Sequence, residues 1–207
     1  LNSRGRTLEP LDLIKNIFLQ KIYEDQQPDD EKNRFNSHWG EFSNNLEISK
    51  NKVISSSTFL KQYIIARYGK NIRKDELYTF MKNTGFNSSE ILDLTKDLKQ
   101  ISNIYRDIEK KDYRTFIENT SGNISIPQKE TLRTKISIIF DIFGVSQFHS
   151  LLIPFYFDTF EKKNRILDGA IKYGAAVLFA QRQTNVIENE IETFLHKYIN
   201  AVNEGSK

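Results

Sequence analysis

The chain has 207 residues, 38% of them hydrophobic and 28% charged, with nine Gly and four Pro, which excludes a disordered tail and a collagen-like or low-complexity chain. Zero Cys excludes disulfides, thiolate nucleophiles and sulfur-ligated zinc, and three His (His38, His149, His196) leave a metal-free fold as the expectation. Thirty basic against 27 acidic residues give a formal charge of +3, too mild to argue for nucleic acid by itself.

The chain opens on Leu1, and Asn2-Ser3-Arg4-Gly5-Arg6 lacks the apolar core of a signal peptide. We therefore read it as an excised piece of a cytoplasmic protein. The apolar stretches are interrupted well before the roughly 20 residues of a membrane span, so no membrane partner is expected. Pro10, then Leu11, Ile14, Phe18 and Ile22 at three- and four-residue steps, predict a helix over about 9–24 that stops before Pro28. Asp29-Asp30-Glu31 places negative charge at the start of a second helix with Phe35, Trp39 and Phe42 on its buried face. Ser55 to Thr58 caps a third, carrying Phe59 and Tyr63 and ended by Gly69, and a short helix follows over about 74–82.

The clearest periodicity is Ile91, Leu94, Leu98, Ile101, Tyr105 and Ile108, a narrow seam on a helix over about 88–110. Under three heptads, it reads as a bundle contact, with dimerisation the minor alternative. Thr120-Ser121-Gly122-Asn123 breaks the chain, Ile124 to Pro127 reads as an extended link, and Leu132, Ile136, Ile139 and Phe143 mark a helix closed by Gly144. Residues 146–160 are apolar nearly all round and read as a buried helix that Pro154 must kink or end. Ile166, Ala170 and Tyr173 continue to Ala180, and Ile187, Ile191, Phe194, Leu195, Tyr198 and Val202 define the last helix. With essentially no strand signal, this is an all-α fold, an irregular multi-helix bundle of about eight or nine helices.

Chemistry is scarce. No GxxxxGK[ST], GxGxxG, HExxH or GxSxG occurs, so no catalytic residue and no metal ligand is assigned. The three His stand apart within helical patterns, His149 beside the apolar run being the most interesting. Asp93, Asp97, Asp107 and Glu109 read as the wet side of the heptad helix. Lys61, Arg67, Lys70, Arg73 and Lys74 form one basic cluster, and Lys162, Lys163, Arg165, Lys172 and Arg182 a second. Interleaved with Tyr63, Tyr68 and Tyr173, they suit phosphates and bases, with Arg67, Lys70, Arg73 and Lys74 the foremost candidates. Their other reading is a solubilising face.

At the N-terminus, Asn2, Arg4 and Gly5 stand before a helix, where guanidinium forks and free backbone N–H groups favour an anion. Asn2-Ser3-Arg4-Gly5-Arg6-x-Leu8, with Leu11-Asp12-Leu13-Ile14-Lys15-Asn16, resembles the signature of domain-of-unknown-function family 262, the GmrSD-type restriction endonuclease N-terminal domain. The resemblance implies that residues 1–27 are the end of a ParB/sulfiredoxin-like core region with its following helix, and 28–207 a helical domain. It implies that Asn2, Arg4 and Gly5 bind nucleotide or phosphate at a cleft edge, with Asp12, Lys15 and Asn16 orienting the helix.

The family's Asp-Gly-Gln-Gln-Arg motif and His-Asn-His nuclease domain do not occur in this chain. The resemblance therefore implies a catalytically inactive piece without a cofactor of its own. The intact protein would be a nuclease or NTPase of a modification-dependent restriction, phage-defence system, using NTP and a divalent metal, with DNA and a His-Asn-His nuclease domain or subunit as partners. The competing readings are a non-enzymatic helical interaction domain and a DNA-binding domain.

Overall fold

The computed structural model describes residues 10–49 and 52–205. The motif residues Asn2, Arg4 and Gly5 lie outside the described residues. The fold is all-α, with ten α-helices among the described residues. It divides into two compact units: residues up to Lys61 with Ile72–Asn103, and Gln62–Asn71 with residues from Ile104 on. The helices on either side of position 27 both belong to the first unit.

The first unit holds α1 (Pro10–Glu24), α2 (Asp29–Asn45), β1 (Glu47–Ser49) and β2 (Lys52–Val53). It also takes the start of α3 (Ser56–Tyr68), a 3-10 turn at Lys74–Glu76, α4 (Leu77–Asn83) and most of α5 (Ser88–Glu109). Ile14, Phe18 and Ile22 recur on one face of α1 and are buried, as three- and four-residue spacing requires. Trp39 is the hub: it stacks on Phe35 at 5.7 Å and meets Phe18 and Phe42 edge-on at 6.2 and 5.5 Å. Edge and offset contacts of this kind add to the area that rings bury.

The two strands are antiparallel, with Glu47 opposite Val53 and Ser49 opposite Lys52, and Ile54 N–H donates to the Leu46 carbonyl at 2.8 Å. This short pairing leaves the fold all-α. Two or three residues are too few for an alternating pattern to register in sequence.

The second unit adds α6 (Tyr113–Thr120), α7 (Ile126–Ser137), α8 (Phe148–Leu152), α9 (Phe160–Phe179) and α10 (Thr184–Gly205) to the ends of α3 and α5. α6, which the sequence reading passed over, starts where the Asp112 side chain accepts from Thr115 N–H, and it buries Tyr113, Phe116, Ile117 and Thr120. Ile124 to Pro127 is not all extended link. Ser125 and Gln128 form a capping box and Pro127 sits in the first turn of α7, where its missing N–H costs nothing. Beyond α7 the chain winds wider at Ile138–Ile142, with Phe143 N–H reaching back five residues to the Ile138 carbonyl, and Gly144 ends it at φ +63°.

The expected helix over 146–160 is instead α8, a 3-10 turn at Ile153–Phe155, and a turn. Pro154 has no N–H to give Ser150, so the chain tightens: Tyr156 N–H bonds Ile153 and Asp158 N–H bonds Phe155. Phe148, Leu152, Ile153, Phe155 and Tyr156 of the segment lie in the core, whereas Phe157 keeps 54% of its surface exposed.

All six seam residues of α5 are buried, and Thr95, Ser102, Ile104 and Asp107 join them. The buried face is therefore wider than a heptad seam. Asp107, expected on the wet side, is 5% exposed, and burial pushes its carboxyl above the usual range while Asn119 donates to it at 3.3 Å.

Candidate ligand groove

Within the second unit, α8 packs against both α9 and α10, and between those two helices an apolar groove remains. Its volume is about 340 Å³, within the range of about 300–1,000 Å³ typical of ligand sites. Leu151, Ile166, Ala170, Ile191 and Phe194 form the apolar walls; Arg165, Tyr173 and Glu190 are the polar members.

Local sequence explains why the space is left open. On α9, Ile166, Gly169, Ala170 and Tyr173 share one stripe at three- and four-residue steps, and two of the four are small. A Cβ built at Gly169 meets no atom within 4 Å, so the backbone itself bounds the groove there. On α10, Ile187, Ile191 and Leu195 turn inward, whereas Phe194 keeps 45% of its surface exposed. On periodicity alone a groove wall and a core face look alike.

One end is closed by polar contacts. The Tyr173 hydroxyl and the Arg182 guanidinium each donate to the Glu190 carboxylate. Burial, then the Glu190 charge, pushes the Tyr173 phenol well above its usual range, so it stays a donor. At the other end Arg165 is exposed and makes no ion pair among the described residues. Leu178, Phe179 and Val186, beyond the closed end, are also exposed, Phe179 by 90%.

A second constellation is enclosed. His149 on α8 is fully buried; its Nε2 faces the Glu109 carboxylate at 3.4 Å and its Nδ1 pairs with the Tyr156 hydroxyl at 2.9 Å. With the proton on Nε2, Nδ1 accepts from Tyr156. Tyr105 lies against the ring and donates to Gln62 at 2.7 Å, and Gln62 in turn donates to the Ser146 carbonyl at 3.1 Å. Burial drives the imidazole below its usual pKa, against the opposing pull of Glu109. His149 Nε2 makes no hydrogen bond, and the Glu109 side chain it faces keeps 25% of its surface exposed, so the ring is held mainly by packing and by its Nδ1 contact to Tyr156.

The sequence-predicted basic residues are distributed. Arg67 and Lys70 belong to the second unit, where the Arg67 guanidinium lies 6.0 Å from the centre of the Tyr63 ring. Arg73 and Lys74 belong to the first, where Arg73 forms an ion pair with Asp75 and Lys74 donates to Thr58 at 2.8 Å. Of the later cluster, Lys162 pairs with Asp158 at 3.2 Å, and Lys163 is a core residue, 6% exposed. The Lys163 ammonium donates to the Thr120 carbonyl and to Ser121, satisfying the C-terminal end of α6. On α1, Asp12 and Asn16 are exposed and Lys15 half-buried. Among the described residues no three His, Asp or Glu side chains gather as a metal site. No helix among them is long and apolar enough to cross a membrane.

Compared with protein-family models, curated proteins and solved structures, the chain matches none.

Proposed function

We propose that this chain is a non-enzymatic helical binding module whose α9–α10 groove receives an apolar group from another molecule. The observation that carries this reading is the groove itself: about 340 Å³ walled by aliphatic and aromatic side chains, with Phe194 held half-exposed over it. Keeping a ring of that size wet forgoes roughly 1–2 kcal/mol of burial, which an apolar occupant would recover. The test is titration of the full chain with benzene, a neutral probe, followed by amide NMR. Saturable shifts at Gly169, Ala170 and Phe194, lost when Gly169→Phe fills the space, are expected; shifts unchanged by that substitution would rule the reading out.

A second reading places the module inside a modification-dependent restriction, phage-defence protein of the GmrSD type, where it supports NTP-linked DNA recognition or cleavage without itself being catalytic. Its support is the Asn2-Ser3-Arg4-Gly5 motif leading into the Leu11 to Asn16 run. In the intact protein Asn2→Ala and Arg4→Ala should then impair restriction of modified DNA with thermal stability unchanged, whereas a pure capping role would appear as a loss of roughly 1 kcal/mol of stability. DNA cleavage with NTP by the 207-residue chain alone would contradict the non-catalytic assignment.

A further inference from the structure

We infer that the α9–α10 groove binds a small amphiphilic monocarboxylate, its apolar body against Gly169 and Phe194 and its carboxylate on Arg165. This rests on the binding-module reading and specifies the ligand.

The charges of the lining decide the sign. Glu190 is the single acid on the groove wall, and its two oxygens are taken by Tyr173 and Arg182. Helix backbone groups along α9 and α10 are bonded within their own helices. What remains is the Arg165 guanidinium, exposed on the groove lining and without an ion pair among the described residues. Arg stays charged at any physiological pH, and its planar fork matches a carboxylate through two parallel N–H···O bonds. A cationic or neutral head group would leave that fork unused, and a cation would meet repulsion there.

Length and volume set the body. Arg165 and Tyr173 are two turns apart on one helix, about 12 Å at 1.5 Å per residue. A space of about 340 Å³ lies at the small end of the range of about 300–1,000 Å³ for ligand sites. An unbranched chain of about ten heavy atoms fits both measures. The Tyr173–Glu190–Arg182 contacts close the far end, so a segment that must run through the groove, such as a long partner helix, is stopped there while a ligand with one head group is not. The omission of a side chain at Gly169 clears the midpoint of that path.

The test uses decanoate and decan-1-ol below their aggregation thresholds, titrated calorimetrically into the full chain, its Arg165→Gln variant and its Gly169→Leu variant. Folding of each is checked by circular dichroism. Leucine at 169 points into open space in a helix interior, so that variant should fold as well as the parent. We expect saturable decanoate binding at least tenfold tighter than decanol, a preference abolished by Arg165→Gln, and loss of both ligands in Gly169→Leu. Equal affinity of the parent for the two probes, or a tenfold preference that survives Arg165→Gln, would overturn the carboxylate assignment while leaving the groove reading standing. Failure of both probes to bind the parent would overturn the two together.

Discussion

The His149 imidazole lies flat on the Tyr105 ring, their centroids 3.6 Å apart and their planes 13° from parallel. Stacking this close leaves no room for water on that face, and Phe140 covers the ring from 4.7 Å at a tilt. The imidazole is thus held neutral by exclusion of solvent, with Glu109 the nearest charge.

That neutrality makes acid costly to the fold. Burial lowers the folded-state pKa of His149 below 6.5, so below pH 6.5 the unfolded chain takes a proton that the folded chain refuses. Stability contributed by this site is complete above pH 6.5 and falls as the pH drops. Urea titrations at pH 7.5 and 5.5 should show a fall in midpoint for the parent, and a smaller fall for His149→Gln. Equal falls would mean that another group controls the acid limb.

Lys163 should act at the alkaline end. Its burial lowers the ammonium pKa from 10.5 to about 8. Between pH 8 and 10 the unfolded chain then holds more protons than the folded one, so stability should rise with pH. The rise should disappear in Lys163→Met, which also removes the contact to Thr120. Above pH 10 the tyrosines Tyr105, Tyr113 and Tyr173, all pushed up by burial, reverse the trend: the unfolded chain loses phenol protons that the folded chain keeps. Denaturant midpoints taken at half-unit steps from pH 7.5 to 10 check the sign.

Gly174 tests packing without charge. A Cβ there would stand 2.5 Å from Phe143 Cδ2 and 3.1 Å from Phe148 Cε2. Gly174→Ala should destabilise by about 1–3 kcal/mol from overpacking, less about 1 kcal/mol of gained helix propensity. Gly169→Ala, on the same helix with open space at its Cβ, should stabilise instead. Thermal unfolding of the two variants side by side decides the matter, since opposite signs are required.

The first unit can be followed by its one tryptophan. Phe42 is fully buried and sits edge-on to Trp39, 5.5 Å away. Phe42→Ala should cost about 3–5 kcal/mol and expose Trp39 to water, shifting its emission to longer wavelength. An unshifted spectrum would mean that the cavity closes by local collapse.

Helical periodicity was the legible part of the fold. The α5 seam from Ile91 to Ile108 was read residue by residue because apolar side chains at steps of three and four have one way to be buried together. Pro154 was read as a disturbance, but its outcome was not, since an apolar run carries no period that separates one kinked helix from a short helix and a tight turn. The signal for α6 was there: Asp112 as cap and Phe116 with Ile117 as buried pair, in a segment too short to show a second turn of the pattern. The groove is least legible of all. Small residues at 169 and 170 are what the sequence shows of it, and the same pair elsewhere would mark a close helix crossing.

The division of the chain has a consequence for how it is made. Two of the three boundaries fall inside α3 and α5, and neither unit is one continuous stretch: Gln62–Asn71 leaves the ribosome before Ile72–Asn103, yet belongs with residues from Ile104 on. The first unit has all its residues once Asn103 is synthesised, whereas the early segment of the second must wait for half of the sequence still to come. No single cut separates the two units, because any piece that holds the first one whole also carries Gln62–Asn71 of the second.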